Sequence, residues 1–135
     1  MTSPIKASAD APAPLQASSY VVAVRTLCEF TAKQGDLDLR FTPTPSAQEG
    51  IEGHALVASR RGAGYQNELS LNQQWGPLLV RGRADGYDPR RQRVEEIKTF
   101  KGKLEAMPAN HRHLHWAQVK VYGAMLCQAL KLDEI

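Results

Sequence analysis

The stretch of residues 81–98 constrains the fold of this chain more than any other, because it is typical of two strands joined by a tight turn. The turn is the segment 88–93, Asp-Pro-Arg-Arg-Gln-Arg, in which Pro89 presets φ at the first loop position and polar residues fill the rest. We therefore predict a hairpin of two strands, from Leu78 to Tyr87 and from Arg93 to Phe100.

The alternation of side chains along a strand divides this hairpin into two faces. If Asp88 pairs with Arg93 at the turn, Asp85 lies directly opposite Glu96. One face is then charged, and the other is mostly small or apolar. The charged face carries Arg83, Asp85, Glu96 and Lys98, with Arg83 opposite Lys98, and the other carries Val80, Gly82, Ala84, Glu95, Ile97 and Thr99.

Two facing carboxylates repel each other, on the order of 3 kcal/mol at about 5 Å and an effective dielectric near 20. A divalent cation between Asp85 and Glu96 would remove this cost, since Mg²⁺ is typically held by one or two carboxylates with waters and substrate phosphates. Lys98 beside the cation could position a metal-bound water. The alternative is an exposed hairpin in which Arg83 and Lys98 neutralise the acids, and the bare Asp…Glu-x-Lys pattern leaves it open.

Three further motifs accompany the hairpin. Gly82-Arg83-Ala84-Asp85 precedes Glu96-Ile97-Lys98, the helix-forming segment Gln118-Val119-Lys120-Val121-Tyr122 follows it, and His54 lies upstream on an expected helix. In the order His, Asp, Glu-x-Lys, Gln-x-x-x-Tyr, these residues resemble the signature of the PD-(D/E)XK nucleases in its RecB-like version. The motifs span about half of the chain.

This resemblance implies an α/β fold with a restriction-endonuclease-like core, in which a small mixed sheet is flanked by helices in the order α-α-β-β-β-α. It also implies phosphodiester hydrolysis of DNA with Mg²⁺ or Mn²⁺ as the cofactor. The residues that would hold the metal are His54, Asp85, Glu96 and the backbone carbonyl of Ile97. The residues that would serve catalysis are Asp85, Glu96, Lys98, Gln118 and Tyr122. The candidates for phosphate contacts are Arg83 and Lys101.

The chain is also similar to the nuclease segment that precedes a DinG-type helicase in some bacterial proteins. The similarity implies a role in DNA repair or processing, with DNA and a covalently linked helicase domain as partners. The PD-(D/E)XK core usually adds another strand after the Q-x-x-x-Y helix, and no sequence follows to form it. We therefore expect the chain to be the N-terminal part of a larger protein and to lack the final strand of the fold.

The remaining sequence supports one domain, since 135 residues with 42% hydrophobic side chains bury one modest core. Residues 1–18 are rich in Ala, Pro and Ser and are interpreted as a disordered leader, and residues 19–135 as the nuclease domain. The other expected elements are a short extended piece at Val21 to Ala23, a helix through Val24, Leu27, Cys28 and Thr31, a capped helix from Ser46 to about Arg61, a strand from Tyr65 to Gln74, and a helix from Pro108 to about Leu130.

Two separated cysteines in apolar contexts suit buried thiols in a reducing cytoplasm. No apolar run reaches the length of a membrane span, and the amino terminus has no signal-peptide core. We therefore expect a cytoplasmic protein with no membrane partner.

The positive charges suggest two functions without catalysis. The formal net charge is only +3, yet Lys and Arg cluster along the hairpin and its surroundings, and a local basic surface attracts phosphate backbones. A non-catalytic nucleic-acid-binding module is therefore one alternative to a nuclease, and a domain that docks a repair partner is the other. Neither alternative requires a divalent metal.

Overall fold

A computed structural model of the chain describes residues 20–35 and 45–135. The whole of the interpreted leader, and residues 36–44 of the connection that follows α1, lie outside the described residues. The elements are β1 (Tyr20–Ala23), α1 (Val24–Thr31), α2 (Ala47–Ser59), β2 (Gln66–Trp75), β3 (Leu78–Asp88), β4 (Arg93–Glu95), a 3-10 turn (Leu104–Ala106) and α3 (Ala109–Leu130).

The described residues thus form an α/β structure, with a small mixed sheet of four strands and three helices. The expected order α-α-β-β-β-α is preceded by β1, the extended piece at its amino end. In the part of the chain that the structure covers, no helix combines the length and the apolar character needed to span a bilayer.

Strand β3 is the centre of the sheet, because every other strand pairs with it. β1 runs parallel to its first half, with Val22 beside Val80. β2 runs antiparallel to it, joined by a turn at Gly76, whose φ of +56° suits a residue without Cβ. The mixed character of the sheet therefore comes from β1 alone.

The core lies between β3 and the helices α1 and α3. Val80 and Ala84 of β3 have no exposed surface, and α1 adds Val24 and Cys28 from its buried side. α3 completes the hydrophobic core with three buried side chains, Leu114, Tyr122 and Met125. Cys28 is buried as expected, whereas Cys127 is half-buried, and both thiols are free.

Helix α2 begins as the sequence predicts. The Ser46 side chain accepts a hydrogen bond from the Glu49 amide at 3.1 Å, and the Glu49 carboxylate accepts one from the Ser46 amide at 3.4 Å, which completes a capping box. No residue of α2 is buried. The helix is therefore attached to the rest of the molecule mainly through polar contacts.

The β3–β4 hairpin closes as predicted, with Asp88 paired to Arg93. The prediction that the second strand continues to Phe100 is wrong, because pairing stops at Gly86 and Glu95. The Asp85 side chain accepts the hydrogen bond of the Ile97 amide at 2.7 Å, so this amide is not available to a backbone ladder. Beyond Glu95 the chain leaves the sheet.

We predict that Gly82→Ala destabilises the protein by about 1 to 3 kcal/mol, the usual cost of overpacking a core. A Cβ at this position would lie 2.7 Å from the Tyr122 hydroxyl and 2.7 Å from a methyl group of Val24. Urea denaturation measures the loss. The control is Gly50→Ala in α2, where a Cβ meets nothing within 4 Å and alanine favours the helix. A Gly82→Ala protein as stable as the wild type would contradict this packing.

Candidate active site

Three of the four predicted metal-ligating groups meet around the backbone of Ile97. The Asp85 Oδ2 atom accepts a hydrogen bond from the Ile97 amide at 2.7 Å. The Ile97 carbonyl oxygen lies 2.9 Å from Nε2 of His54, and Nδ1 of the same ring lies 3.6 Å from Oδ1 of Asp85. β3 supplies the aspartate and α2 supplies the histidine. The irregular segment after β4 supplies the N–H and C=O groups of Ile97 that contact them.

The hydrogen bonds of His54 assign its tautomer. A carbonyl oxygen only accepts, so Nε2 carries the proton that it donates to Ile97. In the neutral ring, Nδ1 then presents a lone pair toward the Asp85 carboxylate, 3.6 Å away. Two acceptors that face each other attract only when a proton or a cation lies between them. The contact between His54 and Asp85 therefore suits a positive charge.

Glu96 and Lys98 form a second polar group. The Lys98 Nζ atom lies 2.8 Å from Oε1 of Glu96, and the glutamate side chain is only 10% exposed. Oε2 of Glu96 is buried and has no hydrogen-bond partner among the described residues. Burial raises the pKa of Glu96; the Lys98 ammonium counteracts this, and the Asp85 charge adds to it. Glu96 thus keeps one carboxylate oxygen free in a buried position.

Two cavities flank the segment from Glu95 to Lys98. The first, of about 460 Å³, lies beside α2 and is lined by His54, Arg83 and Asp85. The second, of about 470 Å³, lies beside α3 and is lined by Glu95, Glu96 and Lys98 with residues of the helix.

The predicted register is wrong in part, because the regular ladder ends at Gly86 and Glu95, before Asp85 and Glu96. Arg83 and Asp85 line the cavity beside α2, and Glu96 and Lys98 line the cavity beside α3, although the Asp85 charge still acts on the Glu96 carboxyl. Asp85 does not face Glu96 across paired strands. Across residues 20–35 and 45–135, no three His, Cys, Asp or Glu side chains come close enough together to hold a metal ion.

Gln118 and Tyr122 lie on the buried side of α3, one turn apart. Gln118 is 5% exposed, and its Oε1 atom has no partner within the described part of the chain. The Tyr122 hydroxyl lies at β3 beside Gly82. Burial raises the pKa of Tyr122 to about 12; the charges of Glu96 and Asp85 add to the rise. Tyr122 is therefore a neutral phenol that joins α3 to the strand of Asp85.

The two candidates for phosphate contacts have different surroundings. Arg83 is exposed and lines the cavity beside α2, next to Asp85. Lys101 lines neither of the two cavities beside the segment 95–98. Its Nζ atom pairs with Glu49 at 2.9 Å, which lowers the pKa of that glutamate. Arg83 thus faces the site, whereas Lys101 attaches the loop after β4 to the start of α2.

The structure adds Glu68, which the sequence analysis does not single out. Glu68 lines the cavity of His54 and Asp85, and it has a φ of +54° near the start of β2. It stands between the paired residues Leu69 and Asn67, which places it beside Asp85 across the ladder. Counting back along β2 from the turn at residues 76–77 is the signal that would have found it.

A second addition is the ion pair of Arg61 with Glu95. Two guanidinium nitrogens of Arg61 contact the two carboxylate oxygens, at 2.8 and 2.5 Å. Both side chains are mostly buried, at 29% and 15% exposure. This pair fixes the end of α2 against β4, and so helps to hold His54 beside Asp85.

We predict that Glu96→Gln stabilises the fold near neutral pH. The folded-state pKa of Glu96 is raised above its ordinary value, so ionisation of this carboxyl costs folding free energy. That cost is absent below about pH 4.5 and grows as the pH rises through the folded-state pKa. Thermal unfolding at several pH values measures the difference between variant and wild type.

The matched control is Glu105→Gln, the same chemical change at a glutamate that is exposed in the 3-10 turn. A Glu96→Gln protein less stable than the wild type at neutral pH would contradict the prediction. So would a gain of stability that persists undiminished in acid.

No protein-family model, no curated protein sequence and no solved structure matches this chain. The resemblance to RecB-like nucleases therefore rests on the motif residues of the chain and on their arrangement.

Proposed function

We propose that this chain is a divalent-metal-dependent DNA nuclease with a restriction-endonuclease-like core of the RecB-like type. The observation that carries the proposal is the meeting of His54, Asp85 and the backbone of Ile97, near the unpaired buried oxygen of Glu96. These groups come from separate segments, and they follow the order of the motif.

The groups present suit Mg²⁺ or Mn²⁺. Carboxylate and carbonyl oxygens are the ligands that these hard cations prefer, and imidazole is acceptable to manganese. His54, Asp85, Glu96 and the Ile97 carbonyl would hold the ion. When bound, the ion would lower the pKa of a water nucleophile and offset charge on the scissile phosphate. The free oxygen of Glu96 and the facing acceptors of His54 and Asp85 support this assignment.

The other residues would act on the phosphate and its nucleophile. Lys98 holds Oε1 of Glu96, and its charge beside the site would position the attacking oxygen. Arg83 is placed to contact a phosphate that enters the cavity of Asp85. Lys101 remains a candidate for a more distant phosphate contact. Tyr122 and Gln118 would support β3 from α3 and so keep Asp85 in position.

The resemblance supports a wider biological context for the same activity. A cytoplasmic role in DNA repair or processing fits a nuclease of this type. A covalently linked helicase domain would supply the unwound strand on which the nuclease acts. DNA is then the substrate of this domain, and the helicase is its partner.

One observation favours a second candidate function. Oε1 of Glu96 is paired with the Lys98 ammonium at 2.8 Å, so one of the two Glu96 oxygens already has a positive partner from the protein itself. A non-catalytic module that binds nucleic acid, or that docks a repair partner, would tolerate this arrangement. Such a module has no affinity for divalent metals at this site, so metal titration separates the two functions.

We predict different effects for Glu96→Gln and Lys98→Met. The glutamine removes a charge from the proposed ligand set, so both Mn²⁺ affinity and cleavage should fall sharply. The methionine removes a positive charge but leaves the ligands, so Mn²⁺ affinity should hold or rise while cleavage drops ~100-fold or more. Calorimetric titration with Mn²⁺ and cleavage of labelled single- and double-stranded DNA measure the two quantities.

Glu105→Gln again serves as the control, and circular dichroism should show all variants folded. Wild-type Mn²⁺ affinity in the Glu96→Gln protein would refute the proposed metal site. Undiminished cleavage by the Lys98→Met protein would refute the catalytic role of the lysine. A wild-type protein that binds DNA but no Mn²⁺ would favour the non-catalytic module.

A further inference from the structure

A pocket of about 190 Å³ lies between the end of α2 and the turn that joins β3 to β4. Its walls are unusual because five arginines form most of them. We call it the arginine pocket. It is lined by Arg60, Arg61, Arg90, Arg91 and Arg93, together with Gly62, Ala63 and Asp88.

The arginine pocket carries a large excess of positive charge. Five guanidinium groups face only two carboxylates, those of Asp88 and Glu95, which leaves three positive charges uncompensated. That excess equals the formal net charge of the whole chain, +3.

The backbone that carries these arginines is held in place. Oδ1 of Asp88 accepts hydrogen bonds from the Arg90 amide at 3.0 Å and the Arg91 amide at 3.4 Å, which fixes the turn. On the other wall, the ion pair of Arg61 with Glu95 fixes the end of α2. The two walls come from distant parts of the sequence, and both are attached to β3 or β4.

Three of the five guanidinium groups remain free. Arg60, Arg90 and Arg93 are exposed, and they form no ion pair with another described residue. Like charges held together on fixed walls repel each other, and an anion that enters between them relieves the repulsion. The planar fork of arginine matches the two oxygens of a phosphate. Phosphate is therefore the anion that this pocket suits best.

The position of the pocket links it to the candidate active site. Glu95, which binds Arg61, is adjacent in sequence to Glu96. Asp88 at the rim lies three residues along β3 from Asp85. At about 3.3 Å per strand residue this is about 10 Å, a distance that one DNA strand can span.

We propose that the arginine pocket binds a backbone phosphate of the DNA strand, about 10 Å along β3 from the carboxylate site that cleaves the strand. The distance to the cleaved bond rests on the nuclease function proposed above; the phosphate contact itself does not. The pocket adds a second binding contact with the DNA strand. A strand that is too short to reach the pocket therefore binds more weakly.

The test compares two double variants that remove the same charge. The pocket variant, Arg60→Gln with Arg90→Gln, removes two unpaired guanidinium groups from the arginine pocket. The control variant, Arg25→Gln with Lys131→Gln, removes two positive charges from α1 and the end of α3. Fluorescence anisotropy with labelled single-stranded DNA in EDTA gives the affinity at several salt concentrations. The pocket variant should lose about tenfold in affinity at low salt, and its salt slope should fall by about 1.4 for two lost contacts.

A series of oligonucleotides of increasing length then locates the contact. For the wild type and the control variant, affinity should rise in a step at the length that reaches the pocket, and the pocket variant should lack this step. Equal affinities and slopes for the two double variants would overturn the proposal. Because the titration is carried out in EDTA, it needs neither metal nor cleavage. If the wild type shows the step in affinity but does not cleave DNA, the nuclease function is refuted and the phosphate contact is retained.

Discussion

The candidate site depends on one hydrogen bond, which the Ile97 amide donates to the Asp85 carboxylate. It takes the amide out of reach of the β3 backbone, so the ladder ends and the chain after Glu95 becomes irregular. The carbonyl of the same residue lies at Nε2 of His54. Both backbone groups of Ile97 are therefore bound to side chains instead of to a neighbouring strand. Strand pairing therefore ends at this hydrogen bond, and a polar junction of β3, α2 and the segment after β4 takes its place.

The polar atoms around this junction are incompletely satisfied. Within the described residues, buried oxygens of Tyr65, Glu96, Thr99 and Gln118 have no hydrogen-bond partner. Each such atom costs about 1 to 3 kcal/mol when it is left unpaired, and most buried polar groups in proteins are paired. Two of the four belong to the predicted motif. Proteins commonly accept lower stability where a site must bind or react, and the distribution of these atoms fits that pattern.

Local chemistry made much of the fold predictable, and long-range contacts set the limit. Turn residues fixed the pairing of Asp88 with Arg93, and the capping box fixed the start of α2, because both depend on neighbours in sequence. The end of β4 was not predictable, since it depends on a side chain twelve residues away that competes with the backbone. The partners of Arg61 and Lys101 are likewise distant in sequence. A motif identified the residues of the site, but only the folded chain divides them between two cavities.

The polar attachment of α2 has a consequence for the motions of the molecule. Side chains of α2 contact the chain after β3 through His54 and the Glu49–Lys101 pair, and Arg61 adds a contact just beyond the helix. No residue of α2 is buried, whereas α3 has six buried residues. Segments with few buried apolar contacts open at a lower free energy than the core and exchange their amide hydrogens sooner. We therefore expect α2 to open before the sheet and α3 unfold, and its opening would separate His54 from Asp85.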